Sequence, residues 1–274
     1  MPKNTTPTPV DDGLYIPTVG EWSHDKHYFL MRYIDAFTTS MKKKWSGLHY
    51  LDLFAGAGIE RLKTSGRLSR GSPLIAAHAR RMFDRLHLCE KNKRKYTALN
   101  SRIVKIRPDS HVLHGDANQK VYDITREVPQ GTLSLAFLDP YGLHLHFETV
   151  KELSRRRTDL IVFFPDHLDA LRNWERNYLD DPNSNLDHWM GPGCDWRTAL
   201  NSVPQDGHAE TLRELYVGQM RTLGYAHFEY RRIYAKGHPL YILVFCSRSD
   251  VGAGLWRRIS HKEPGGQRTF KFEP

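Results

Sequence analysis

The stretch Tyr50-Leu51-Asp52-Leu53-Phe54-Ala55-Gly56-Ala57-Gly58 constrains the fold of this chain more than any other. It is an apolar strand pattern with an acid just inside it, running into a glycine turn. Glycines at such a turn let backbone approach a ligand closely, and the turn leads toward a helix N-terminus. A parallel α/β sheet opens a nucleotide-cofactor pocket in this way.

The rest of the chain alternates strand and helix signals, as a parallel α/β sheet requires. Strands are expected at His49–Phe54, Arg85–Glu90, His111–Gly115, Leu133–Asp139 and Asp159–Phe164. The last two are unbroken apolar runs, the pattern of strands covered on both faces. A helix is expected over about 24–40, with Ser23 as N-cap and Tyr28, Leu30, Met31, Ile34 and Phe37 as its apolar face. Ser72-Pro73 opens another, through about Phe83, and Lys91 to Val104 reads as a basic helix. From about 165 to 205 the pattern breaks into Pro, Asn, Asp and Gly around Trp174, Trp189 and Trp196. That is the signature of an irregular insertion serving as a lid or substrate wall. A helix resumes over about 207–223, and His227–Tyr234 and Leu240–Ser247 form a closing antiparallel hairpin. The Pro- and Thr-bearing residues 1–20 are expected to be a flexible arm, and 21–274 a single domain.

No apolar run approaches the roughly 20 residues of a membrane span, and the polar N-terminus lacks a signal-peptide core. A cytoplasmic protein is expected. Cys89, Cys194 and Cys246 lie far apart, with no CxxC pair and no zinc spacing, so no metal site is expected. A formal charge of +9 favours a polyanionic partner. Part of that charge sits in short runs such as Lys42-Lys43-Lys44 and Arg155-Arg156-Arg157, which suit solvated helix ends.

Four acids fall at successive strand ends, where open α/β sheets bind ligands: Asp52, Glu90, Asp116 and Asp139. One alone would read as a helix cap; four in order point to a cofactor site. A carboxylate at Glu90 suits a ribose diol. Asp116 or Ala117 suits adenine, and Asp52, Gly56 and Gly58 suit the opposite end of the ligand. Phe54 and Ser72 complete the expected lining. Both NAD and S-adenosylmethionine make such demands. NAD sites favour a third glycine, where this chain has Arg61, and acids beside a pyrophosphate are unfavourable. Asp52 and Glu60 flank the turn, which suits the sulfonium and ammonium of S-adenosylmethionine. Asp52 and Glu90 also lie farther apart than a bare βαβ unit needs. Residues 61–70 therefore read as an extra loop, and Gly71-Ser72-Pro73 as the true helix start.

Asp139-Pro140-Tyr141-Gly142 is the candidate reactive site. In methyl transfer to an exocyclic amine the nitrogen lone pair is delocalised into the ring. An acceptor holding an N–H draws that nitrogen toward sp³, the proline fixes the turn, and the tyrosine stacks on the base. The N6-adenine and N4-cytosine amino methylases use Asp/Asn-Pro-Pro-Tyr. With Tyr141 at the second proline, this chain looks more like the Asp-Pro-Phe-Gly form of guanine-N2 tRNA methylases. A plain strand-ending turn is the alternative.

Trp22-Ser23-x-x-Lys26, Asp52-Leu53-Phe54-Ala55-Gly56-x-Gly58, Gly71-Ser72-Pro73-Leu74, Leu138-Asp139-Pro140-Tyr141-Gly142-Leu143, Tyr241-Ile242-Leu243-Val244-Phe245 and Gly254-Leu255-Trp256 together resemble the three-Cys-motif partner proteins, over about residues 20–258. The resemblance implies a Rossmann-like class I methyltransferase fold, with a mostly parallel seven-stranded sheet. It also implies a protein partner, a radical-S-adenosylmethionine iron–sulfur protein. The expected function is methylation of a nucleobase amine in nucleic acid or a nucleotide. A catalytically silent partner protein and a small-molecule methyltransferase are the rivals.

Overall fold

The computed structural model describes residues 8–235 and 237–260. Its centre is a sheet of seven strands: β1 (Leu48–Asp52), β2 (Arg85–Glu90), β3 (His111–His114), β4 (Leu133–Leu138), β5 (Thr158–Phe164), β6 (His227–Ala235) and β7 (His238–Ser247). They lie in the order β3-β2-β1-β4-β5-β7-β6, and β7 alone runs against the direction of the other six. β1, β4 and β5 are buried at every position, which is why their sequences read as unbroken apolar runs. This is the Rossmann-like fold of class I methyltransferases, as expected.

Nine helices are named here: α1 (Trp22–Met41), α2 (Ser72–Ala77), α3 (Lys93–Ile106), α4 (Ala117–Glu127), α5 (Phe147–Ser154), α6 (Asn185–Met190), α7 (Trp196–Asn201), α8 (His208–Thr222) and α9 (Asp250–Ser260). α1, α2, α3 and α9 cover the face presenting Tyr50, Leu86, Leu135 and Phe245. α4 to α8 cover the face presenting Leu51, Ala136, Val162 and Val244. Among the described residues, no helix is long and apolar enough to cross a membrane.

Three expectations are corrected. First, the expected flexible arm is laid down on the domain from Thr8 onward. Thr18–Val19 pairs in parallel with Ile59–Leu62, one strand of a hairpin completed by Leu68–Arg70. Arg102, almost fully buried, holds Asp12 at 2.6 and 2.8 Å and bonds the carbonyls of Tyr15 and Ala57. A buried guanidinium needs its donors answered, and residues 12–15 answer them. Residues 1–7 of the expected arm lie outside the described residues.

Second, the insertion is helical. Asp166–Ala170 and Trp174–Tyr178 are π-helical, joined by an α-turn, Leu171–Asn173, and α6 and α7 follow. The π-turns shift the period over Asp166–Tyr178, and Pro182, Gly191, Pro192 and Gly193 break up the stretch that follows. Trp174, Trp189 and Trp196 are buried, and Trp189 stacks on Phe164 at 5.3 Å. They close the core beneath β5. Third, Ser23 lies inside α1, whose N-cap is Glu21, and α2 stops at Ala77, short of Phe83.

A row of histidines crosses the first three strands. His49 Nδ1 lies 3.0 Å from His87 Nε2, and the His87 and His111 rings are 5.9 Å apart. Burial, then His49, Arg85 and His111, push the His87 pKa down to about 3. A lowered histidine pKa means the unfolded chain binds a proton that the folded chain does not. Its stabilisation is complete above the unfolded value of about 6.5 and is lost as pH falls below it. Urea unfolding between pH 7 and pH 4 is expected to show stability falling with acid. In His87→Leu the slope should be shallower by roughly one proton, about 1.4 kcal/mol per pH unit. An unchanged slope would remove His87 from the account.

Candidate cofactor and transfer site

The site is built at the C-terminal ends of β1, β2 and β4. Past β1, the turn takes positive φ at Gly56 (67°) and Gly58 (86°). A Cβ on Gly58 would stand 3.3 Å from Leu74 Cγ, so this glycine lets α2 pack close, while a Cβ on Gly56 would meet nothing within 4 Å. Gly71 N–H donates to the Gly58 carbonyl at 2.8 Å, and α2 begins at Ser72 after an extended Gly71 N-cap. The residues read as an extra loop form the Ile59–Leu62/Leu68–Arg70 hairpin, which brings Glu60 into the site.

Glu90, buried at the end of β2, accepts from the Gly56 N–H at 2.9 Å and the Asn92 N–H at 2.6 Å. It therefore fixes the glycine turn. Asp116 caps α4 by accepting from the Asn118 N–H at 2.9 Å, and it pairs with Lys91 at 2.9 Å. Ala117 is buried as the first residue of α4. Phe54 is half-buried beside the turn, and its N–H donates to Asp52 Oδ1 at 3.3 Å.

The centre of the site is a cation not expected there from the sequence. Lys26 Nζ lies 2.5 Å from Asp139 Oδ2, with both side chains largely buried. It also sits 5.6 Å from the Phe163 ring centroid. Burial works against its charge, but Asp139, Glu60 and Asp52 outweigh burial and raise its pKa. On the same helical stretch Ser23 Oγ donates to Glu60 Oε2 at 2.8 Å, and His27 Nδ1 lies 3.7 Å from that oxygen. Asp52 is fully buried. Burial pushes its pKa up to about 7; Ser72, the Phe54 N–H and the Tyr50 hydroxyl oppose that rise, and Asp139 adds to it. The structure thus joins Asp52, Glu60 and Asp139 around one ammonium, with Ser72 bonded to Asp52, Glu90 across the glycine turn and Asp116 farther along the strand ends.

The loop after Asp139 is held by the insertion. The Leu143 N–H donates to Asp169 Oδ2 at 2.9 Å, while Asp169 Oδ1 accepts from Tyr178 (2.6 Å) and Asn173 (2.7 Å). Between the clamp and Asp139, the Tyr141 side chain stands 91% exposed. His146 stacks on His188 at 4.5 Å nearby, and its backbone N–H bonds Asn118. At the end of β5, fully buried Asp166 is held by Arg232 of β6 at 2.5 and 2.6 Å. Lys26, Asp166 and Asp169 were missed as site residues. Lys26 shares the face of α1 that carries Ser23, His27, Leu30 and Ile34, but the acid it meets lies far along the chain. Asp166 and Asp169 sit in the irregular stretch and carried no signal.

No protein-family model matches the chain, and no curated protein matches it by sequence. Among solved structures, it is similar to LPL1258, a DUF519 protein from Legionella pneumophila str. Philadelphia 1. That pair is 14% identical, with 88% of this chain and 94% of that one covered and a TM-score of 0.53. A putative O-methyltransferase from Klebsiella pneumoniae follows at 10% identity, 83% and 88% coverage and a TM-score of 0.48. An O-methyltransferase from Bacillus cereus in complex with SAH gives 10%, 79% and 80%, and 0.47. At these identities the likeness is one of fold.

Gly142 tests the clamp. Its φ is +67°, and an added Cβ would stand 2.4 Å from Asp169 Oδ2. Gly142→Ala is expected to destabilise the protein by roughly 1–3 kcal/mol in urea unfolding. Asp169→Ala, which removes the obstruction along with the clamp, should reduce the added cost of Gly142→Ala in the double variant. Strict additivity would show that the two do not meet.

Proposed function

We propose that this chain is an S-adenosylmethionine-dependent methyltransferase acting on an exocyclic amine of a nucleobase, in nucleic acid or a free nucleotide. The observation that carries this reading is the setting of Asp139. Lys26 anchors its Oδ2, and its Oδ1 has no hydrogen-bond partner among the described residues. The exposed ring of Tyr141 stands two residues on.

The donor set fits S-adenosylmethionine. The turn faces open space at Gly56, whose N–H is held by Glu90, and Asp52, Glu60 and Asp139 gather acid charge nearby around Lys26. A pyrophosphate would be repelled there, whereas a sulfonium and an ammonium are welcome. Each Glu90 oxygen keeps a lone pair beyond its backbone bond, enough for a ribose hydroxyl. Asp116 or the Ala117 backbone remains for the adenine edge. When bound, S-adenosylmethionine supplies an electrophilic methyl group. The chain's residues do the rest by positioning. Lys26 holds the Asp139 carboxylate in one orientation. Asp139 Oδ1 accepts an N–H of the amine, frees the nitrogen lone pair from the ring, and is placed to take the proton that nitrogen sheds. Tyr141 offers the base a stacking face. The net positive charge of the chain suits a polyanionic substrate.

The test is transfer of labelled methyl to a panel of RNA, DNA and nucleotides. Asp139→Asn and Asp139→Ala are expected to lower transfer by about 10²-fold or more while SAH still binds. Transfer unchanged in both variants would sink the role of Asp139.

The buried Lys26–Asp139 pair also favours a second reading, since a carboxylate already answered by an ammonium suits a domain that binds without transferring. With the resemblance to three-Cys-motif partner proteins, that reading is a methyltransferase-like partner of a radical-S-adenosylmethionine iron–sulfur protein. SAH binding with no transfer to any substrate, together with co-purification of such a protein, would select it.

Asp52 gives the site a pH dependence. With a pKa near 7, its carboxylate is ionised above neutrality and protonated below, so it attracts an ammonium only at the higher pH. SAH affinity is expected to weaken between pH 8 and pH 6. In Asp52→Asn it should be weak throughout and flat with pH by calorimetry. A wild-type profile that is equally flat would contradict this.

A further inference from the structure

α1 carries two different stripes, one buried and one partly exposed. Phe29, Leu30, Tyr33 and Phe37 are packed into the core. The stripe His24, His27, Tyr28, Met31 and Asp35 instead faces a cavity of about 270 Å³, whose far wall is the Arg67-to-Arg70 side of the hairpin and whose floor includes His78. This stripe is only partly buried, Met31 being 37% exposed, and it brings two imidazoles, a phenol and a carboxyl to the cavity.

The lining chemistry is specific. Arg67 and Arg70 place two guanidiniums on one wall, Arg67 also lying near Glu21. Asp35, the lining's one carboxyl among the described residues, faces Arg32 and Arg80, and burial raises its pKa. His78 Nδ1 lies 2.9 Å from the Leu74 carbonyl, so that nitrogen carries the proton and Nε2 of the neutral ring is an acceptor. His27 is kept neutral by burial, and its buried Nδ1 has no hydrogen-bond partner. Tyr28 and Met31 add an aromatic face and a thioether that adapts to flat rings. Guanidiniums, neutral ring acceptors and an aromatic face together suit a heterocycle bearing N–H groups and a phosphate. The volume falls just below the range of drug-sized pockets, which suits one nucleotide and not a dinucleotide.

We propose that this cavity is a second ligand site, for a nucleoside 5′-monophosphate, separated from the cofactor pocket by His27 and Glu60. It stands on the cavity alone and does not depend on methyl transfer.

Calorimetry of the full chain with AMP, GMP, CMP and UMP tests it, with the four nucleosides and inorganic phosphate as separate arms, each run with and without saturating SAH. At least one mononucleotide is expected to bind with Kd of about 1 mM or tighter, more tightly than phosphate or its nucleoside, and with SAH present. Met31→Trp, which fills the cavity from a partly exposed helix position, and Arg67→Ala, on the exposed hairpin, should each weaken that binding roughly tenfold without changing SAH affinity. Arg67→Ala decides if Met31→Trp fails to fold. Four results overturn the proposal: no mononucleotide binding, displacement by SAH, phosphate binding as tightly as the nucleotide, or insensitivity to the folded variants. If SAH itself does not bind, the cofactor reading fails while the SAH-free nucleotide titrations still give their answer.

Discussion

Three carboxylates, from Asp52, Glu60 and Asp139, converge on one buried place, and nothing else about the site can be arranged until that charge is answered. Lys26 answers it. An ion buried without a partner costs several kcal/mol, and removing one member of a buried pair costs roughly 3–5 kcal/mol, far more than a surface pair contributes. The first turns of α1 must therefore lie over the C-terminal edge of the sheet. The apolar stripe from Phe29 to Phe37 holds them there. Ser23 and His27 come with Lys26 to the same acid, Glu60. One ammonium against three acids is still an excess of negative charge. Burial, with the charge of Asp139 added to it, raises the pKa of Asp52, and the pocket keeps an appetite for a second cation.

The sheet was legible because its middle strands are buried on both faces and so carry unbroken apolar runs, each ending in an acid or a turn. Asp52, Glu90 and Asp139 stood out for that reason, and Ser72-Pro73 marked the helix start by its own capping chemistry. Lys26 was not legible as a site residue because its partner lies 113 residues away. A lysine near a helix start looks the same whether it faces water or a buried acid. The insertion was misread for a related reason. Its helices are short, shifted in period by π-turns and separated by proline and glycine, and period-based reading needs length. Its tryptophans point to a core that only the neighbouring Phe164 and Tyr216 reveal. The arm was misread because what holds it, the Arg102 guanidinium, belongs to a helix far along the chain.

The glycine turn that first indicated the fold is fixed from every side by other elements. Glu90 holds the Gly56 N–H, Arg102 holds the Ala57 carbonyl, and Gly71 donates to the Gly58 carbonyl. Leu74 lies against the open side of Gly58. A loop so constrained does not need a ligand to shape it, so little ordering cost stands between the free and bound forms. The other wall is different in kind. Asp139 is anchored by Lys26, and the loop after it by Asp169, but Tyr141 between those anchors extends into solvent. On the proposed methyltransferase reading, the rigid backbone at one end and the exposed ring between two fixed points at the other would divide the work of a transfer site. One end would hold a constant molecule in one geometry. The other would meet a substrate that arrives from outside and must be stacked, aligned and released.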